Sequence, residues 1–227
     1  MNPVYNKIKS KIGQIAVLID PDKCKNINTL KKTIEKAEFA RVDYFFVGGS
    51  TVSSSDFKIV INYLSENSEI PVVIFPGASH HVSEKADSIL FLSLISGRNP
   101  DYLIGHHVQA ARELYDMDLE VIPTGYVLID GGTNSSVAYV SQTTPIPSKN
   151  ISIILDTCKA GILNGKKILF LDAGSGATES IPSRIIKDVS KLGVPVIIGG
   201  GIKTREQIDN CSANGANVIV IGNKLED

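Results

Sequence analysis

Ile168-Leu169-Phe170-Leu171-Asp172-Ala173-Gly174-Ser175-Gly176 is an apolar run that ends on a carboxylate and a glycine loop. Residues 182–192 follow with apolar side chains at helical spacing, Pro182 sitting where a first-turn proline is tolerated. The next apolar run is Val196-Ile197-Ile198-Gly199-Gly200-Gly201-Ile202. Both runs are continuously apolar and do not alternate. Strands covered on both faces, or lining a barrel, read this way. The segment is therefore a strand–loop–helix–strand unit with a parallel pair, and each strand ends in glycine.

The same unit recurs outward in both directions. Strand-like runs occupy residues 15–19, 44–47, 72–75, 89–94, 119–129 and 218–221. Helical spacing covers residues 27–39, 57–64, 102–115, 151–163 and 205–211. Eight strands with helical crossovers predict an α/β fold of the (β/α)8 TIM-barrel type, with a doubly wound open sheet as competitor. The barrel is preferred because eight repeats exceed the usual open-sheet count. Two units deviate. Only residues 79–86 separate the third and fourth runs, too few for a full helix, so the third crossover helix is expected to be missing or very short. The sequence also stops four residues after Asn223, which leaves no room for an eighth helix. Residues 131–150, rich in Gly, Ser, Thr and Pro, read as loop.

Composition narrows the function. Hydrophobic residues make up 43% and charged residues 21%, which excludes a wholly disordered chain. The 227 residues suit one domain, expected over 1–227. Lys plus Arg is 23 and Asp plus Glu 24, so no basic field exists to hold nucleic acid. Cys24, Cys158 and Cys211 show no metal-ligand spacing and fit a reducing, cytoplasmic compartment. No apolar leader is read at the N-terminus, and no run approaches the roughly 20 apolar residues of a membrane span.

In such barrels the active site lies at the C-terminal ends of the strands. The residues there are Asp20-Pro21-Asp22-Lys23, Gly48-Gly49-Ser50-Thr51, the 172–176 loop, Gly199-Gly200-Gly201 and Gly222-Asn223. Glycine loops after the seventh and eighth strands form the usual phosphate cup, because bare backbone N–H groups approach an anion closely. A tight turn is the plainer reading of the same glycines. Asp172 is placed to accept hydrogen bonds from ligand hydroxyls or to take a proton from one, or it is a satisfied loop aspartate. Asp20, with the Ser50 hydroxyl on the neighbouring strand, makes the sparse hard-oxygen set that suits Mg2+. Lys23 adds a point charge toward a diphosphate, although Asp22 and Lys23 also read as a helix-entry turn. His80-His81 and His106-His107 lack metal-ligand spacing and read first as packing or helix-end residues. Arg98-Asn99-Pro100 is a loop able to meet an anionic ligand, with a turn as the simpler reading.

Taken in order, these strings resemble the geranylgeranylglyceryl phosphate synthase family, which includes the bacterial heptaprenylglyceryl phosphate synthases. The matching stretches are Leu18-Ile19-Asp20-Pro21-Asp22-Lys23, Val47-Gly48-Gly49-Ser50, the run from Phe170 to Ala177, the run from Val196 to Ile202, and Ile219-Val220-Ile221-Gly222-Asn223. Asn99-Pro100-Asp101-Tyr102-Leu103-Ile104-Gly105 and Ile122-Pro123-Thr124-Gly125-Tyr126 also match. The resemblance implies a barrel without its third helix. It implies Mg2+-dependent transfer of a prenyl group, geranylgeranyl first, from its diphosphate to the C3 hydroxyl of sn-glycerol 1-phosphate, with release of pyrophosphate, in ether-lipid synthesis. By motif position Asp20 and Ser50 hold the metal. Phe170, Leu171, Asp172, Ala173, Gly174, Ser175, Gly176, Gly200, Gly201, Gly222 and Asn223 hold glycerol phosphate, and Asp172 and Asp20 are the catalytic pair. The family often has Tyr-Leu-Glu where this chain has Phe170-Leu171-Asp172, so a phenol is lost and the carboxylate is one methylene shorter. A homo-oligomer, dimer or hexamer, is expected on the same ground. A sugar-phosphate isomerase or aldolase-like barrel and a silent phosphate-binding protein are the competing readings.

Overall fold

The structure, a computed structural model, describes residues 3–24 and 26–222. Helix α1 (Pro3–Ser10) leads into β1 (Gln14–Ile19), α2 (Ile27–Phe39), β2 (Tyr44–Val47), α3 (Ser54–Asn67), β3 (Val72–Ile74) and β4 (Ser88–Leu94). A π-helical turn (Asp101–Gly105) runs into α4 (His106–Leu114), followed by β5 (Glu120–Leu128), α5 (Ser136–Ser141), α6 (Ile151–Leu163) and β6 (Ile168–Asp172). The remaining elements are α7 (Ser183–Ser190), β7 (Val196–Gly199), α8 (Arg205–Ala213) and β8 (Val218–Ile221). All neighbouring strands pair in parallel, and β1 pairs with both β2 and β8. The sheet is therefore closed, which rejects the open-sheet alternative.

Strand period sorts the core. One parity points inside the barrel: Ala16, Tyr44, Phe46, Val73, Leu90, Ile122, Tyr126, Ile168, Phe170, Ile197 and Val218 form one buried cluster. The other parity faces the helices. Val17, Phe45, Val47 and Ile74 pack against Leu30 and Ile34 of α2 and Phe57, Ile61 and Leu64 of α3. Leu169, Leu171, Val196, Ile198 and Ile219 pack against Ile154 of α6, Ile185 and Ile186 of α7 and Cys211 of α8. Each fully buried aliphatic side chain contributes about 1.5–3 kcal/mol. Helix starts are capped by their sequence. Ser53 accepts from the Asp56 amide, and Thr204 with Gln207 forms a capping box on α8.

The absent crossover is borne out, since the chain runs from β3 to β4 without a helix. Three elements differ from the sequence reading. Helix α1 was not foreseen; it closes the bottom of the barrel with Val4 and Ile8. Its free amides on Val4 and Tyr5 donate to the Glu120 carboxylate at 2.8 and 3.0 Å. Residues 131–150 are not all loop, because Ser135 caps the short helix α5. Residues 102–115 begin as the π turn, not as α-helix. Among the described residues no helix is long and apolar enough to cross a membrane.

Candidate active site

Strand parity decides what reaches the mouth. On β6 the inward positions are Ile168, Phe170 and then Asp172. On β1 they are Ala16, Leu18 and then Asp20. Both carboxylates therefore emerge at the same, C-terminal end. They line one cavity of about 1250 Å3, together with Ser50, Gly174, Ser175, Gly176, Gly200, Gly201 and Gly222. Ordinary small-molecule pockets run to roughly 300–1,000 Å3, so this one has room for two ligands.

The β6 and β7 loops are built around Asp172. Its Oδ1 accepts from the Gly174 amide at 2.8 Å. Its Oδ2 accepts from the phenol of Tyr126, which projects inward from β5. Gly200 has φ 81°, and a Cβ there would lie 2.6 Å from Asp172 Oδ1 and 2.7 Å from the Gly174 nitrogen. Only glycine passes. Burial pushes the Asp172 carboxyl above its ordinary range, while the Tyr126 and Gly174 hydrogen bonds pull it back. Burial, with the neighbouring Asp172 charge, drives the Tyr126 phenol well up, so it stays a donor. A raised carboxylate in a concave site suits proton transfer.

Not every proposed ligand-binding residue points here. Leu171 and Ala173 have the outward parity and are buried between barrel and helices. Their side chains cannot touch a ligand. Phe170 is 2% exposed and forms the floor, its ring 5.1 Å from Phe75 and 5.4 Å from Tyr126. Asn223 lies outside the described residues.

Across the mouth, Asp20 Oδ2 pairs with Lys23 at 3.1 Å and Oδ1 accepts from the Asp22 amide at 3.2 Å. Asp22 Oδ2 accepts from Thr51 Oγ1 at 3.0 Å, which ties the β1 loop to the β2 loop. A Cβ on Gly49 would lie 3.1 Å from Asp20 Oδ1, so the backbone before Ser50 rests on that carboxylate. Among the described residues no group of three or more His, Cys, Asp or Glu is arranged to hold a metal ion. One carboxylate beside hydroxyls suits a cation that keeps waters and shares substrate oxygens, as Mg2+ does. It does not suit zinc.

The cavity then leaves the mouth as an apolar slot. On β4 it is lined by inward Leu92 and Leu94 but also by outward Ile89 and Phe91, with Val82, Ala110 and Leu114 beside them. The outward residues Ile89 and Phe91 are reached where the chain runs from β3 to β4 without a helix between them. His107 walls the slot; its ring stacks on Phe91 with centroids 3.8 Å apart and Nε2 donates to the Leu92 carbonyl at 2.6 Å. A long apolar tail calls for a greasy groove across the barrel top walled from within residues 88–126, and Phe91, Leu92, Leu94, Tyr102 and Tyr126 of that span line the slot, whereas the pairing of Tyr126 with Asp172 had no signal in the sequence.

The chain matches the PcrB family over residues 7–227. It is 47% identical to the geranylgeranylglyceryl phosphate synthase of Chitinophaga pinensis over 99% of this chain and 91% of that one. It is 43% identical to the synthase of the same name from Zunongwangia profunda, over 98% and 94%. Among solved structures it resembles the (S)-3-O-geranylgeranylglyceryl phosphate synthase of Thermoplasma acidophilum in complex with sn-glycerol-1-phosphate. That match has a TM-score of 0.89 and 32% identity, and covers 97% of this chain and 88% of that one. A closed barrel with two carboxylates at one mouth and a slot where a helix is absent thus sits in a chain that belongs to the PcrB family.

Proposed function

We propose that this protein is a prenyltransferase that joins a prenyl diphosphate, geranylgeranyl first, to the C3 hydroxyl of sn-glycerol 1-phosphate. The observation that carries this is one continuous cavity holding a glycine-lined anion cup, a carboxylate with a raised pKa and an apolar slot. The named relatives and the glycerol-phosphate complex of the Thermoplasma acidophilum enzyme support it. An isomerase or aldolase needs the cup but has no use for the slot.

The glycine backbone of the 174–176 and 200–201 loops and Gly222 holds the phosphate of glycerol phosphate, and φ values near 71–91° at Gly174, Gly176, Gly200 and Gly201 open their amides to it. Asp172 orients the C3 hydroxyl and accepts its proton as the new ether bond to the prenyl carbon forms. The bond from that carbon to the diphosphate oxygen breaks, and pyrophosphate leaves. Fixing hydroxyl and carbon in line contributes up to about 7 kcal/mol or more. Asp20 and Ser50 hold Mg2+ in this reading. A cation held there by Asp20 and Ser50 would supply Lewis-acid stabilisation of charge on the leaving oxygens. The slot shelters the tail and excludes water. Homo-oligomeric assembly is proposed on the family resemblance and a cytoplasmic location on the cysteine pattern, Cys24, Cys158 and Cys211 being free, and light scattering tests the former.

Asp20→Ala tests the assignment of the metal side. It should abolish turnover that depends on added Mg2+, while sn-glycerol 1-phosphate still binds by calorimetry. Full activity in the variant would remove Asp20 from the site.

A further inference from the structure

His81 lies in the link that replaces the missing helix, and it is 1% exposed. Its ring stacks on Phe57 of α3, with centroids 4.7 Å apart and planes 15° from parallel. Nδ1 accepts from the Gly77 amide at 3.1 Å, in the loop after β3. Nδ1 being the acceptor, Nε2 carries the proton and donates to the Val52 carbonyl at 3.0 Å, in the loop after β2. One imidazole thus bolts two adjacent rim loops together.

Those loops touch where the site needs them. A Cβ on Gly77 would lie 2.0 Å from the Gly49 carbonyl oxygen and 3.0 Å from Ser50 Cα. A Cβ on Gly48 would lie 1.8 Å from the Phe75 carbonyl oxygen. The β3 loop backbone is therefore pressed against the Gly49–Ser50 backbone, and Gly49 in turn rests on Asp20. A helix after β3 would ordinarily brace this loop. Here the brace is a buried side chain with both ring nitrogens used.

We propose that His81 is a positioning residue for the diphosphate side of the mouth, fastening the β2 and β3 loops so that Gly49 and Ser50 stay set against Asp20. The proposal rests on the prenyltransferase reading for what that side binds. It predicts a one-sided effect, because the glycerol phosphate cup belongs to β6, β7 and β8.

The test uses His81→Gln, His81→Leu and His81→Asn in the full chain. Glutamine has an oxygen to accept from Gly77 and an amide to donate to Val52. Leucine keeps the packing on Phe57 and loses both bonds. Magnesium pyrophosphate affinity is read by calorimetry, alongside KM for each substrate. His81→Leu should weaken pyrophosphate and raise the prenyl diphosphate KM by about tenfold or more, the scale of one or two lost buried hydrogen bonds. KM for sn-glycerol 1-phosphate should move by less than about twofold, and His81→Gln should stay within about threefold of the parent in every value. Equal behaviour of Gln and Leu, parallel weakening of both substrates, or unchanged pyrophosphate affinity in a folded Leu variant would overturn the proposal. If the Leu variant does not fold, Asn decides. Its side chain is too short to span both partners, so it must weaken pyrophosphate where Gln does not, and equal affinities would overturn the clamp. Calorimetry reads the clamp whether or not ether lipid is formed, so failure here is distinct from failure of the transferase reading.

Discussion

At the residue scale, Asp172 and Tyr126 act as a pair. The carboxylate is desolvated, which raises its pKa, and the phenol's hydrogen bond opposes that rise. In the proposed reaction Asp172 would act as a base only when ionised, so activity should be lost as pH falls through its folded pKa. Removing the phenol removes a stabiliser of the charged form. Tyr126→Phe should therefore move the acid limb of the kcat/KM profile to higher pH, and Asp172→Asn should lower kcat by about a hundredfold or more with melting temperature little changed. An acid limb that stays in place in Tyr126→Phe would mean that the phenol does not tune the carboxylate. Asp172 was legible in the sequence, because a charged residue closing an apolar strand before a glycine loop must face the mouth. Tyr126 was not, since it stands 46 positions away in the middle of another strand and meets Asp172 only once the barrel closes. Where the family often carries a phenol at position 170, this chain has Phe170 as the floor, and the phenol beside the carboxylate comes from β5.

At the scale of elements, the two departures from a regular barrel have opposite uses. The missing third crossover opens the slot at the top. It was legible because eight residues cannot make a packed helix and two turns. Helix α1 plugs the bottom. It was not legible, because its amphipathic signal is two buried residues, Val4 and Ile8, in a short and largely polar segment. Beneath the plug, Tyr44 Oη donates to Gln14 Oε1 at 2.7 Å, and both side chains are fully buried. Gln14 Nε2 donates to the Ile8 and Lys11 carbonyls, tying the plug to β1. Tyr44→Phe leaves the Gln14 oxygen unsatisfied and should cost about 1–3 kcal/mol. Urea unfolding would report that loss. Activity should be retained, since this pair sits at the end of the barrel opposite the mouth, and a loss of turnover in proportion to stability would contradict that separation.

At the scale of the whole molecule, barrel closure is what makes a site from loops scattered between residues 20 and 222. Strand count and unbroken apolar runs were enough to foresee closure and the rim on which chemistry would gather. They did not foresee that Leu171 and Ala173 would turn outward, although strand period alone dictates it once Asp172 is placed inward. The slot joins the rim where the chain runs from β3 to β4 without a helix, so under the proposed function a long apolar tail and a small polar acceptor would reach the same carboxylate from different directions. The most direct measurement incubates the protein with labelled sn-glycerol 1-phosphate, Mg2+ and prenyl diphosphates of several lengths, then extracts with organic solvent. Label should enter the organic phase, should depend on Asp172, and should not do so from the 3-phosphate enantiomer. Label confined to the aqueous phase at every chain length would contradict the account.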